Sequence, residues 1–157
     1  MKPLLLALVS LVATVLLARA QAGTPGRQAY GPWQYNKEKN YHFREYKYKV
    51  KASDKDYQHE YCIYYRNDAK INNKWVYFYN PQTQKFWSRY PTVNNDQYKK
   101  YAQERGEAWS ILPMQYRQKD LYQINQKSWP TPRTDYCPTI PGATDGTLMM
   151  APPADLP

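Results

Sequence analysis

The sequence predicts a mainly β fold with small helical additions, an α+β chain built on an antiparallel meander sheet. Four segments between residues 44 and 90 are rich in aromatic and β-branched residues or alternate apolar with polar side chains. Polar turns separate them, and strands joined by short turns pair antiparallel. Weaker helical patterns follow, and seven prolines lie beyond residue 128. We therefore expect an aromatic-rich β domain with short helices over residues 41–128 and a Pro-rich tail over residues 129–157.

Residues 1–20 are predicted to be a signal peptide. Lys2 gives a basic start, residues 4–17 are mostly apolar, and Ala18-Arg19-Ala20 has the small-x-small pattern of a cleavage site. The apolar run is shorter than the ~20 residues of a membrane-spanning helix. An uncleaved anchor is the alternative. We expect a secreted, extracellular protein that has no membrane association after cleavage.

The mature chain of about 135 residues suits one domain. Removal of Lys2 and Arg19 with the signal peptide lowers the formal charge from +9 to about +7. This charge favours extracellular matrix polysaccharide or acidic matrix proteins as partners. Secretion argues against nucleic acid. With 17 Tyr and five Trp, the core must be built largely of rings.

The first elements follow from local patterns. Residues 21–40 are rich in Gly and Pro, which predicts an irregular N-terminal arm. Over residues 44–52, Tyr46 and Tyr48 alternate with charged residues, which predicts a half-buried strand with a basic outer face. After a polar turn, residues 61–65 are predicted to form a second strand.

Residues 74–91 hold the densest aromatic stretch of the chain. Two aromatic runs, residues 75–79 and 86–90, flank a loop that begins Asn80-Pro81, and this predicts a β-hairpin with strands over residues 75–79 and 85–90. Further on, a helix is expected over about residues 97–105 and another from Pro113.

The tail cannot form regular ladders, because proline lacks a backbone donor, so we expect it to be extended. Cys62 and Cys137 both lie in the mature chain, outside any CxxC spacing. In an oxidising compartment this pair predicts one disulfide that staples the tail to the sheet. A nucleophile or a metal ligand is the alternative. The bond would close a loop of about 75 residues, which stabilises by roughly 4.5 kcal/mol on the chain-entropy estimate.

The hairpin also contains the candidate binding residues. Trp75, Tyr77 and Tyr79 share one strand face, and Trp87 is expected to join them across the strands. Such an aromatic platform can stack on sugar rings while nearby polar groups bind hydroxyls. The alternative is that this face belongs to the core.

The hairpin resembles the last two strands of a WW domain. The matching residues are Tyr77, Phe78, Tyr79, Asn80, Thr83, Trp87 and Pro91. Trp87 falls one residue early, and residues 61–65 lack the leading Trp of that family. We interpret the likeness as a shared hairpin solution. The resemblance would imply an aromatic face that binds Pro-rich segments.

The chain as a whole resembles secreted, basic, Tyr-rich organic-matrix proteins of invertebrate shells or skeletons. Interleaved stretches such as Tyr46-Lys47-Tyr48-Lys49 carry the likeness together with the signal peptide and the Pro-rich tail. Many shell proteins are strongly acidic, and this chain is not, which favours a role on the chitin-protein framework. In such matrices tyrosines can be oxidised and crosslinked. A plain amphipathic strand is the alternative.

No catalytic, metal or cofactor site is predicted. His42 and His59 are the two histidines, and neither they nor the acids form a known motif. The sequence therefore predicts a secreted structural or binding component of an extracellular, biomineral-associated matrix, and not an enzyme. The alternatives are a soluble carbohydrate-binding module, with chitin as the first ligand, and an enzyme of unrecognised type.

Overall fold

The computed structural model describes residues 26–68, 70–71, 73–92, 100, 109–112, 117, 120–123 and 138–157. They form an antiparallel sheet of seven strands. The strands are β1 (Gln28–Tyr30), β2 (Gln34–Asn36), β3 (Tyr41–Tyr48), β4 (Gln58–Tyr64), β5 (Trp75–Asn80), β6 (Lys85–Pro91) and β7 (Ser110–Ile111). Their spatial order is β1-β3-β4-β5-β6-β7, and β2 pairs with the same strand β3 as β1 does.

The mainly β prediction is confirmed, and the predicted strands correspond to β3, β4, β5 and β6 in meander order. β3 and β4 each begin three residues earlier than expected. Helix is limited to short pieces in the described residues, such as a 3-10 turn at Leu121–Gln123. The first predicted helix lies outside the described ranges except at residue 100, and the second, from Pro113, is described only at residues 117 and 120–123, where the 3-10 turn lies. Within those ranges, no helix is long and apolar enough to cross a membrane.

The N-terminal arm is more regular than expected. β1 and β2 pair with the two halves of β3, with Gln28 opposite Tyr48 and Gln34 opposite Phe43. Gly31 lies at the break between them, where its N–H donates to the carbonyl of Glu45 at 2.8 Å. Gly31 and Pro32 therefore divide the chain beside β3 into two short strands and do not prevent pairing.

Two four-residue hairpin loops have the same construction. In the first, Asn36 precedes the loop and its side-chain oxygen accepts from the N–H of Lys39 at 3.0 Å. In the second, Asn80 accepts from the N–H groups of the second and third loop residues at 2.9 Å each. The last loop residue has positive φ in both, 51° at Asn40 and 55° at Gln84. The predicted loop is therefore a turn of residues 81–84 that is capped by Asn80, the last residue of β5.

The sheet is packed on both faces. We call one the first face, and its buried core consists of Ile63, Tyr65, Ile71, Trp75, Tyr77, Phe86, Leu112 and Leu121. The opposite one is the second face, with Tyr46, Tyr48, Cys62, Tyr64, Val76, Phe78, Trp109, Ile140 and Met149. Strand alternation decides the division, since successive side chains point to opposite sides. The predicted burial of Tyr46 and Tyr48 is confirmed.

The described part of the tail, residues 138–157, packs on the second face. Ile140 and Met149 are buried in its core. Apart from one isolated bridge between Thr139 and Leu148, the tail forms no ladder in its described part. Side chains of β1 hold its backbone instead: Gln28 donates to the carbonyl of Leu148 at 3.0 Å.

Two ion pairs fasten this tail to the sheet. Arg27 donates to Asp145 at 2.7 Å, and Arg44 donates to Asp155 at 2.9 Å. Both arginine side chains are largely buried, whereas both carboxylates are largely exposed. The guanidinium of Arg44 also lies 4.8 Å from the ring centroid of Trp33.

The structure does not support the predicted disulfide between Cys62 and Cys137. Cys62 is a free thiol with no exposed surface, packed within the second-face core. Cys137 lies outside the described residues. Burial raises the pKa of the Cys62 thiol well above its usual range. The staple that the sequence assigned to a disulfide is made in the described tail by arginine–aspartate pairs and apolar contacts.

Candidate ligand-binding cleft

The hairpin of β5 and β6, called the main hairpin below, contains a β-bulge that decides where its aromatic residues point. Tyr79 lies opposite Phe86, while Phe78 lies opposite Ser88, so Trp87 is the extra residue between the two pairs. The bulge turns Trp87 toward the second face, where its ring centroid lies 5.4 Å from that of Phe78.

The predicted platform is therefore divided between the two faces. Trp75, Tyr77 and Tyr79 share the first face, as expected, but Trp87 does not join them. Trp75 is 2% exposed and Tyr77 is 0% exposed, so the core alternative holds for both. Arg89 covers Trp75, with its guanidinium 3.8 Å from the ring centroid. Of the four rings, Tyr79 and Trp87 are half-buried.

Trp87 lines an open cleft on the second face with a volume of about 450 Å³. The cleft lies where the main hairpin, β7 and the beginning of the described tail meet. Its described lining is Glu60, Asn80, Thr83, Lys85, Trp87, Ile111, Arg117, Pro138, Thr139 and Pro141. An indole ring, apolar walls and several polar side chains thus converge on one concavity, which is the usual composition of a small-ligand site.

Glu60 is the unusual member of this lining. It is 1% exposed, and its carboxylate accepts hydrogen bonds from Asn80 Nδ2 at 2.8 Å and from Trp87 Nε1 at 3.2 Å. The Tyr48 hydroxyl is its third partner. All three partners are neutral, and no ion pair to Glu60 occurs among the described side chains.

Burial raises the pKa of Glu60 to about 7, although its hydrogen bonds to Trp87, Asn80 and Tyr48 oppose the shift. A carboxyl group without a cationic partner loses more hydration free energy on burial than neutral donors return. Glu60 therefore changes its charge near neutral pH, which is uncommon for a carboxyl group and frequent at functional sites.

Asn80 connects the hairpin loop to the cleft. Its side-chain oxygen caps the loop and its side-chain nitrogen donates to Glu60. Because both ends of the amide are engaged, the loop fixes the amide relative to the carboxyl group. The same carboxyl group binds the indole N–H of Trp87, which fixes the ring orientation.

Cations also line the cleft. Arg117 is anchored because its Nε donates to the carbonyl of Leu112 at 2.9 Å. Lys85 is the second cation of the lining. Neither contributes to the pKa shift of Glu60. The cleft therefore combines a buried, weakly acidic donor or acceptor with cationic side chains and one aromatic ring.

Sequence reasoning found Trp87 but missed Glu60. The available signal was alternation along β4, because Glu60 shares its side with Cys62 and Tyr64. An acid on the apolar side of a strand predicts a buried carboxyl group. In the described part of the chain, no group of three or more His, Cys, Asp or Glu residues could hold a metal ion.

A second aromatic arrangement lies on the first face. Half-buried rings follow one another across β3, β4 and β5, with 5.4 Å between the ring centroids of Phe43 and Tyr61 and 6.4 Å between those of Tyr61 and Tyr79. The rings of Tyr61 and Tyr79 are within 8° of parallel. Tyr79 also lines a cavity of about 360 Å³ beside the 3-10 turn. This row lacks a buried charged group and is the less specific candidate.

No protein family, curated protein or solved structure matches the chain.

Proposed function

We propose that this protein is a secreted binding component of an extracellular matrix and that it holds a polysaccharide chain in the cleft around Trp87. The observation that carries the proposal is a half-buried indole ring placed in a cleft beside side chains that donate and accept hydrogen bonds. A sugar ring presents one apolar face and a rim of hydroxyl groups, and this lining matches both.

The fixed orientation of Trp87 supports the proposal. A ring that already lies against Phe78 and donates to Glu60 loses little conformational entropy when a ligand stacks on it. Thr83 and Arg117 add polar groups around the cleft for hydroxyl or carbonyl oxygens.

The sequence supports the location. Residues 1–20 have the pattern of a signal peptide, and the charge of the mature chain favours attachment to a matrix. The resemblance to Tyr-rich organic-matrix proteins favours a chitin-protein framework over a free soluble ligand.

Binding is favoured over hydrolysis by the acids of the cleft. Most glycosidases use two carboxyl groups that flank the scissile bond. Glu60 is the sole carboxylic acid in the described lining. A single buried carboxyl group can orient a sugar but does not supply the acid and base pair.

The first prediction tests the cleft directly with insoluble chitin. We expect the folded protein to sediment with chitin and to remain bound in 1 M NaCl, because stacking persists when the Debye length falls to about 3 Å. Trp87→Ala should lose retention while its circular dichroism spectrum stays native. Tyr35→Ala is the matched control, since Tyr35 is an exposed ring on β2 outside the cleft.

If Trp87→Ala does not change retention on chitin, the binding site lies outside the cleft. The row of rings on the first face is then the next candidate. Release of the wild-type protein by salt alone would indicate attachment through lysine and arginine.

A further inference from the structure

We propose that the cleft binds an uncharged, N-acetylated sugar chain with Glu60 in its neutral carboxylic acid form, so that ligand binding takes up a proton. This inference rests on the proposed function and names the ligand class and the pH dependence of the same site.

The first argument is the cavity itself. Glu60 is 1% exposed and belongs to the lining of a cleft of about 450 Å³, so a ligand in the cleft would shield its carboxyl group further from solvent. Because an uncharged sugar brings no cation to compensate a charge there, its binding favours the neutral acid over the carboxylate.

The second argument is the hydrogen-bond inventory of Glu60. Asn80 Nδ2 and Trp87 Nε1 can only donate, so neither can accept a hydrogen bond from the O–H group of the neutral acid. The Tyr48 hydroxyl oxygen can accept this hydrogen bond in the free protein. A carbonyl oxygen of an acetamido group in the cleft offers a second acceptor, which the ionised carboxylate cannot use.

The charged and titratable groups around Glu60 are compatible with this proton uptake. Tyr48 on β3 has a pKa raised well above its usual range by burial and by Glu60, so it stays neutral near pH 7. Lys85 of β6 and Arg117 also line the cleft, and neither is among the causes of the Glu60 pKa shift. The pKa of Glu60 itself, about 7, places its change of charge within an accessible range.

The second prediction uses an N-acetylglucosamine hexamer as the probe, titrated calorimetrically at pH 5.5 and pH 8.5. If only the neutral acid binds and its pKa is near 7, the wild-type affinity should fall about 30-fold between these conditions. Glu60→Gln keeps a donor at every pH, so its affinity should match the wild-type value at pH 5.5 and should not fall at pH 8.5.

Glu45→Gln is the matched control. Glu45 lies on β3 and its carboxylate pairs with His59 at 2.6 Å, outside the cleft. This variant should keep the wild-type pH dependence, because Glu45 does not line the cleft. As a measurement without a variant, NMR titration of the Glu60 carboxyl carbon should give a higher pKa in the saturated complex than in the free protein.

A wild-type affinity that is equal at both pH values, or that rises with pH, would overturn proton uptake and leave the polysaccharide site intact. A Glu60 pKa that falls on binding would do the same. Absence of binding at either pH would instead reject the proposed function, and the proton linkage with it.

Discussion

Glu60 shows how one buried side chain can serve both the fold and a site. Its carboxylate holds Asn80 and Trp87 in place, yet its burial disfavours the charge that makes those hydrogen bonds strong. The native protein therefore holds the Glu60 proton to higher pH than the unfolded chain does. This difference links the free energy of unfolding to pH.

The third prediction follows from that linkage. The folded pKa of Glu60 is raised to about 7 from an ordinary value of 4.5, so this contribution to stability is complete below pH 4.5 and is lost as pH rises toward 7. We expect a loss of roughly 3 kcal/mol at most. Urea unfolding at several pH values should show it, and Glu60→Gln should abolish this part of the pH dependence. A wild-type stability that does not fall between pH 4.5 and pH 7.5 relative to Glu60→Gln would contradict the burial argument.

At the scale of elements, the sequence predicted the positions of the strands well, but it predicted less well which face of the sheet each side chain occupies. Period-two alternation and aromatic runs identified β3 to β6, because both are local properties. The face of Trp87 depended on a bulge, which is one extra residue relative to a partner strand and cannot be seen within a single strand. The candidate cleft depends on tertiary contacts from β4 and the tail, so only Trp87 could be named in advance.

The fourth prediction concerns the main hairpin loop. Gln84 has a φ of 55°, a conformation that a β-branched residue tolerates poorly. Gln84→Val should lower the free energy of unfolding by about 1–2 kcal/mol, whereas Gln84→Gly should not destabilise. Gln82→Val is the matched control, because Gln82 is also exposed in this loop but has no positive φ. Equal effects of the two valine substitutions in urea unfolding would show that the conformation at Gln84 carries no special cost.

At the scale of the whole molecule, the tail completes one side of the protein. Residues 138–157 supply Ile140 and Met149 to the second-face core, which also contains the buried free thiol of Cys62. The described part of this tail forms one isolated bridge, and its prolines gave no indication that it packs on the sheet. Attachment by Arg27 and Arg44 involves long-range pairs that local patterns do not reveal.

The fifth prediction tests this attachment. The arginines lower the pKa values of Asp145 and Asp155, so the stabilisation is present above the usual aspartate range and is lost as pH falls through the lowered values. At pH 7 the double variant Asp145→Asn, Asp155→Asn lacks both ion pairs, so the tail should detach from the sheet more often. Labelling of Cys62 by a thiol reagent should therefore be faster than in the wild-type protein. A Cys137→Ser background makes Cys62 the reporter.

Asp56→Asn is the control for that experiment, since Asp56 is exposed and lies outside the tail. Labelling that is equally slow in the double variant would mean that apolar contacts alone hold the tail, and faster labelling with Asp56→Asn would indicate a general effect of charge.

The position of the tail also constrains how this protein can be made. Arg27 bonds to residues 118 and 120 positions later, and Trp33 donates to the carbonyl of Asp155, 122 positions later. During synthesis from the N-terminus, β1 to β6 emerge long before these partners exist. Until residues 138–157 follow, the nascent chain presents the rings of Tyr46, Tyr48 and Phe78 without Ile140 and Met149, their partners in the second-face core. Closure of the second face must therefore wait until residues 138–157 have been synthesised, and a stop before residue 138 would leave exposed apolar surface that favours aggregation.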